Sequence, residues 1–213
     1  DHPQVSAQQE AAIAVPTVAE LAREFGDRAL VSIDTIKGEV ARQALAAGAT
    51  IVNDVWAGRN DPTTMTAAAD AGAHLVLMHN KEVAEYPDGV FDEVVAWLTD
   101  AINDALGCGV PREHLIVDPG IGFGKTPEHS IELLHRLREL KTALGGLPML
   151  VGTSRKRFIG ELLGGAPPEQ RLEGTAATVA LSIAGGADMV RVHDVELMMR
   201  TVRVADGIVR WRR

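Results

Sequence analysis

The 213-residue sequence predicts an α/β protein, a parallel sheet closed into a (β/α)8 TIM barrel whose first two βα units are expected to be missing from the sequence as it stands. Three observations carry that expectation. Short apolar segments alternate with longer helical patterns, which calls for a parallel sheet. Most of those segments are rich in Val, Ile and Leu without strict alternation, as strands covered on both faces are. Nearly every one ends in a reactive or hydrogen-bonding side chain, and a closed barrel gathers all such ends at one mouth. An open doubly wound sheet would use only the ends beside its switch point, which makes the barrel the better reading.

The elements follow in order. A first helix covers roughly Ser6–Glu24, and Ser6 with Gln9 three residues on has the chemistry of a capping box. Strands are expected at Ala29–Asp34, Thr50–Asp54, His74–Met78, His114–Asp118, Met149–Ser154 and Asp188–Val192. Between them Lys37–Ala47, Pro62–Ala71, Phe91–Leu106, Pro127–Leu144 and Pro168–Ala184 carry apolar residues at helical spacing, and a last helix runs from Val195 towards Trp211. Thr126-Pro127 places proline in a first turn. Gly48, Gly72 and Gly186 close helices, and the alanine after each glycine begins a tight return to a strand. A full barrel gives ~31 residues per unit over ~250 residues, so a chain with six strands and none before its first helix is expected to lack about 60 residues at its front. A single barrel domain over 1–213 is expected.

The bulk composition narrows the partners. A formal net charge of −8 argues against a nucleic-acid partner, which needs a basic face. An anionic ligand must then be met by a local cluster of cations. The lone Cys108 forms no internal disulfide and has no metal-ligand spacing, which suits a reducing cytoplasm. The polar start Asp1-His2-Pro3-Gln4-Val5-Ser6 lacks the pattern of a signal peptide, and no apolar run approaches the ~20 residues of a membrane span. A cytoplasmic protein with no membrane partner is expected.

The most specific stretch is Asp118-Pro119-Gly120-Ile121-Gly122-Phe123-Gly124-Lys125-Thr126. A carboxylate at the end of an apolar strand needs donors to offset its desolvation, and a ligand with two adjacent N–H groups would supply them. The glycines behind it let the backbone approach a flat ligand closely. A Gly-rich turn with Asp118 as a cap or structural pair explains the same residues equally well. A nucleotide phosphate loop does not, because no glycine lies five residues before Gly124.

In Gly152-Thr153-Ser154-Arg155-Lys156-Arg157-Phe158-Ile159-Gly160, three consecutive cations follow an apolar strand. Burying all three would be costly, so some must meet solvent or an anionic or π-rich ligand. Lys156 is placed in the pocket and Arg157 in a solvated basic turn. In Arg191-Val192-His193-Asp194, residues two apart on a strand face one side, so Arg191 and His193 can converge on one anion. Pairing of Arg191 with a structural carboxylate, with His193 beside a helix cap, is the competing account. Asp34, Asn53 and Asp54 are further strand-end polar groups, each by itself more often structural. Met78 and His79 are weaker, since a strand-end methionine is usually core filler. His114, His129 and His135 show no ligand spacing and receive no role.

Taken together and in order, these stretches resemble the dihydropteroate synthases. The resemblance runs through Ser32-Ile33-Asp34-Thr35, Val52-Asn53-Asp54, Leu77-Met78-His79, the Asp118-to-Thr126 loop, the Gly152-to-Gly160 run, Glu173-Gly174-Thr175-Ala176 and Arg191-Val192-His193-Asp194. It implies a barrel transferase of folate synthesis that condenses 6-hydroxymethyl-dihydropterin pyrophosphate with p-aminobenzoate and releases pyrophosphate. By that resemblance Asp118 binds the pterin's amino and ring N–H edge, with Asp34, Asn53 and Met78 completing the pocket. Lys156 contacts the pterin and borders the p-aminobenzoate site, which Phe123 and Gly152 line. Arg191 and His193 hold the pyrophosphate, so that Asp118, Lys156 and Arg191 are the catalytic set. The family also implies a homodimer, with contacts near Glu169–Ala184 or Val195–Ala205, and Mg²⁺ as cofactor. Its members begin with a loop of the type Asn-Val-Thr-Pro-Asp-Ser-Phe and a second containing Ser-Thr-Arg-Pro-Gly. Neither is present here, and the main Mg²⁺ ligand is expected in that absent part. The alternatives are a pterin-binding methyltransferase, against which the paired cations at Arg191 and His193 speak, and a non-catalytic pterin-binding or purely structural fragment.

Overall fold

The structure is a computed structural model that describes residues 5–211. In chain order its elements are α1 (Ala7–Phe25), β1 (Ser32–Asp34), α2 (Gly38–Ala46), β2 (Ile51–Asp54), α3 (Thr63–Asp70), β3 (His74–Met78) and α4 (Val90–Gly107). They continue with β4 (Leu115–Asp118), α5 (Pro127–His135), α6 (Leu137–Ala143), β5 (Leu150–Val151), α7 (Arg157–Leu162), α8 (Leu172–Ala184), β6 (Met189–Val190) and α9 (Val195–Val209). The expected strand–helix alternation is present, with two helices in succession after β4 and after β5. The chain divides into two compact units, one running as far as Met78 and including Leu98–Ile116, the other formed by His79–Trp97 and the chain from Val117 onward.

In the first unit β1, β2, β3 and the start of β4 lie side by side in that order. The pairing is parallel, with Asp34 opposite Asn53 and Asn53 opposite Val76. Val52, Leu75 and Leu77 are fully buried, as are Val40, Ala41 and Ala44 of α2. These apolar runs can be continuous because helices pack against the sheet instead of leaving a face to water. Ser6 caps α1 with the reciprocal Gln9 contact its spacing predicts. Gly48 and Gly72 take positive φ just past α2 and α3, the conformation that ends a helix without a Cβ clash.

In the second unit Val117 bridges to Met149, and β5 pairs in parallel with β6. Val179 and Ile183 of α8 meet Met198 and Ala205 of α9 in a buried cluster. Three expectations need correction here. The single helix expected over Pro127–Leu144 breaks at Arg136, whose φ of −100° and ψ of 20° leave the helical region. No proline or glycine marks the break, so the apolar period reads straight through it. The basic turn expected around Arg157 is the start of α7, with Phe158, Ile159 and Gly160 buried. Finally, β5 and β6 are much shorter than the apolar runs that announce them, so Gly152–Ser154 and Arg191–His193 lie beyond the strands.

Candidate active site

In the first unit the strand-end polar residues form two different arrangements. The side-chain amide of Asn53, 7% exposed, donates to Asp34 Oδ1 at 3.0 Å, a contact set by the register that places these residues opposite one another. Asp34 itself is exposed at the strand end. Asp54 points elsewhere. It accepts from Trp56 N at 2.9 Å, Gly58 N at 2.9 Å and Thr64 Oγ1 at 2.7 Å, which makes it the anchor of the loop before α3. Burial pushes its carboxyl above the ordinary range despite those donors. Met78 is buried, 3% exposed, at the end of β3.

The second unit carries the cationic arrangement. Asp118 ends β4 and is buried, 6% exposed, with Gly120 N donating to Oδ1 at 2.7 Å. Burial, the largest influence, pushes its carboxyl up to about 6, while Gly120, Lys156, Lys125 and Arg191 act the other way. The loop behind it is tightly folded. A Cβ on Gly120, φ 66°, would lie 1.9 Å from the carbonyl oxygen of His79, and one on Gly124, φ 53°, would lie 2.0 Å from that of Lys81. No other residue fits at either place. Tyr86 Oη donates to Gly124 O at 2.7 Å and holds the far side of the loop.

Lys156 stands at the N-cap of α7 with its ammonium 3.9 Å from the centroid of Phe123, a cation–π contact. Burial pulls this ammonium below its ordinary value, Asp118 holds it up and Arg191 pulls it down. Its side chain also covers Gly122, where a Cβ would sit 3.2 Å from Lys156 Cδ. Gly152, just past β5, would place a Cβ 3.8 Å from that of Arg191. Asp118, Phe123, Gly152, Lys156 and Arg191 are therefore neighbours within one unit. His193 joins them differently from the strand-alternation expectation. It lies past the end of β6, exposed, with its backbone N at 3.1 Å and its Nδ1 at 2.8 Å from Ser154 Oγ. Arg157, expected to be solvated, is exposed and pairs with Glu161 at 2.7 Å.

The sequence profile of the pterin binding enzymes matches residues 1–193. The dihydropteroate synthase of Bacillus subtilis is 40% identical over 205 residues, covering 96% of this chain and 70% of the relative. The chain belongs to the dihydropteroate synthase family of pterin-binding enzymes. Among solved structures, the Clostridium difficile dihydropteroate synthase obtained in the presence of pteroic acid matches with a TM-score of 0.93 and 40% identity, over 99% of this chain and 78% of that one. The Xanthomonas albilineans enzyme in complex with 7,8-dihydropteroate matches with a TM-score of 0.90 and 38% identity, over 98% of this chain and 77% of that one. The expectations of a barrel-class α/β fold and of a transferase of folate synthesis acting on small molecules therefore hold, and the methyltransferase alternative gives way. No helix among the described residues is long and apolar enough to cross a membrane.

Two residues of this family member were missed by sequence reasoning. Lys125 is half-buried, and its ammonium lies 2.8 Å from His79 Nδ1 and donates to Phe123 O at 3.0 Å. Burial drops it to about 7, with Asp118 opposing the drop. His79, 2% exposed, is packed edge-on against Trp97 with ring centroids 5.0 Å apart. His129, given no role from sequence, completes the cap of α5: Thr126 N donates to its Nδ1 at 3.3 Å. The available signal was the glycine alternation around Lys125, which forces the loop inward. Among the described residues no group of three His, Cys, Asp or Glu side chains is placed to hold a metal ion.

Proposed function

We propose that this chain condenses 6-hydroxymethyl-7,8-dihydropterin pyrophosphate with p-aminobenzoate to give 7,8-dihydropteroate and pyrophosphate. The observation that carries the site assignment is Asp118. A carboxylate has room for about four donors, and Gly120 N supplies one at 2.7 Å, so a buried acceptor faces the site with capacity to spare. The pterin's 2-amino group and adjacent ring N–H are two parallel donors of the kind that match it. The family resemblance also assigns pterin binding to Met78 and to Asn53, whose amide donates to Asp34.

The lone pair of the arylamine nitrogen makes the new C–N bond. The C–O electron pair leaves with the pyrophosphate, and one amine proton is released. Charge grows on the leaving oxygen as the bond breaks, so fixed cations there stabilise the transition state more than the ground state. Arg191 and His193 take the pyrophosphate. Asp118 balances the positive charge that spreads over the pterin ring, and Lys156, seated on Phe123, borders the p-aminobenzoate site that Phe123 and Gly152 line. Mg²⁺ would neutralise pyrophosphate oxygens, but the described residues do not form a cage for it, and no step above runs through it.

We also read the chain as one pterin-binding domain in a cytoplasmic homodimer. The profile match, running through both units, supports the first point. An apolar groove of about 500 Å³ supports the dimer; Phe158, Leu162, Thr178 and Leu181 are among its lining residues, and the leucines are 67% exposed. The decisive test is pyrophosphate release from the two substrates with Mg²⁺. Asp118→Asn removes the charged acceptor, and kcat/KM is expected to fall about a hundredfold, the loss of roughly 3 kcal/mol of charged hydrogen bonding. A variant with unchanged turnover would remove Asp118 from the pterin site.

A further inference from the structure

We infer that Lys125, gripped by His79, is a second counter-charge beside Lys156 that helps keep Asp118 in its ionised, pterin-accepting form. The inference rests on the assignment of Asp118 made above, and it makes Lys125 and His79 positioning residues. The glycine alternation from Gly120 to Gly124 turns the loop back on itself, so that its two charged ends converge. A Cβ on Gly120 would sit 1.9 Å from His79 O and 3.4 Å from Lys125 Nζ. Gly120, the residue that donates to Asp118 Oδ1, is thus packed against both His79 and Lys125.

The lysine's protons have defined partners. An ammonium has no acceptor, so at 2.8 Å it must be His79 Nδ1 that accepts and Lys125 that donates. That puts the ring proton on Nε2 and leaves the imidazole neutral. Burial and the facing Lys125 act the same way, holding His79 down at about 3. His79 therefore stays uncharged at any pH near neutrality and serves as a fixed acceptor. Phe123 O takes a second proton at 3.0 Å. A lysine that filled space alone would not need two such acceptors at its tip.

The charged groups around the pair are few and identifiable. Lys81, beyond β3, pairs with Glu93 of α4 at 2.9 Å and lies over the Tyr86 ring at 4.5 Å. Lys156 comes from the N-cap of α7, and Arg191 from beyond β6. All three are cations, so Asp118 is the group that favours the charged form of Lys125, and Lys125 is one of those that favour the charged form of Asp118. Each supports the other's ionisation in a site that would otherwise neutralise both, and their two titrations belong to the pair. Pterin affinity should then rise with pH as the carboxyl ionises near 6 and fall as the ammonium deprotonates near 7.

The test is calorimetric binding of 6-hydroxymethyl-7,8-dihydropterin between pH 5 and 9 to the wild type, Lys125→Met, Lys125→Arg and Asp118→Asn proteins. Titration of the pterin itself is common to all four and cancels. Lys125→Met should lose the basic limb and move the acid limb upward by about one pH unit, a roughly tenfold loss of affinity at the acid end. Lys125→Arg, which cannot deprotonate, should lose the basic limb and keep the acid limb in place. A Lys125→Met protein that unfolds cooperatively and keeps both limbs would overturn the inference. If Asp118→Asn binds the pterin normally, the assignment of Asp118 falls with it. If Asp118→Asn abolishes binding while Lys125→Met leaves the limbs unmoved, the assignment stands and only the counter-charge is lost.

Discussion

Arg155 shows how much of this site is set by single residues that bind nothing themselves. Its backbone has φ 56°, a left-handed conformation that costs a non-glycine residue roughly 1–2 kcal/mol. It persists because both backbone polar groups and two guanidinium nitrogens are held. Arg155 N donates to Thr175 Oγ1 at 3.0 Å, its carbonyl accepts from Arg171 at 2.8 Å, and its guanidinium forms a fork on Asp194 at 3.0 and 2.5 Å. The next residue is Lys156, so this clamp sets where the lysine leaves the chain. Asp194→Asn weakens the fork and is expected to lower kcat/KM about tenfold, the loss of roughly 1.4 kcal/mol of positioning, with the fold intact. Steady-state pyrophosphate release checks it, and an unchanged rate would make the clamp irrelevant to Lys156. Asp118 and Lys156 were legible in the sequence because a charge directly after an apolar strand demands an explanation. The clamp was not legible, since nothing about an arginine announces positive φ. Lys125 and His79 were hidden for a related reason: a lysine in a Gly-rich loop reads as solvated, and a lone histidine after a strand reads as core.

At the scale of elements, the legible features were those whose cause lies in two or three adjacent residues. Thr126-Pro127 announces the start of α5, and Thr126 Oγ1 accepts from His129 N at 3.3 Å as that local chemistry dictates. The break at Arg136 is not local. There the guanidinium lies 3.6 Å from the Phe91 centroid and pairs with Glu132 and Glu139, and the contact with α4 has no signature in the helical period. The shortness of β5 and β6 was equally hidden, because apolar composition marks burial and burial continues past the last paired residue. The cap of α5 has a functional side, since Thr126 follows Lys125 directly and ends the glycine loop. Thr126→Ala should cost about 1 kcal/mol, lowering the melting temperature by roughly 2–4 °C, and should also weaken pterin binding by loosening Lys125. Thermal unfolding with and without the pterin checks both parts. A melting shift that leaves affinity untouched would show that the cap serves α5 alone.

For the molecule as a whole, the same charges that make the site work are a load on the fold. Asp118 has its carboxyl raised from the ordinary 3.8 to about 6, so its contribution to stability is fully present at acid pH and is lost as the pH rises through 6. That difference corresponds to roughly 3 kcal/mol at neutral pH. Lys125 is lowered from 10.5 to about 7, so its contribution is present above 10.5 and is lost as the pH falls through 7. Both losses are largest together between about 6 and 7, the range in which the site carries its two charges. Replacing the pair by the neutral Asp118→Asn, Lys125→Met combination should therefore raise the melting temperature near pH 7 by at least roughly 6 °C, while kcat/KM falls about a hundredfold as for Asp118→Asn alone. The gain should shrink towards pH 9, where the native lysine has already shed its proton and the unfolded one follows. His79 is neutral in the fold but titrates at 6.5 when unfolded, so it adds a slope near pH 6–7 that is common to both proteins and cancels from their difference. Calorimetric melting of both proteins from pH 6 to 9 measures the difference directly. A gap that stays constant across that range would mean that the two buried charges do not couple folding to pH, and the electrostatic account of the site would have to be rebuilt.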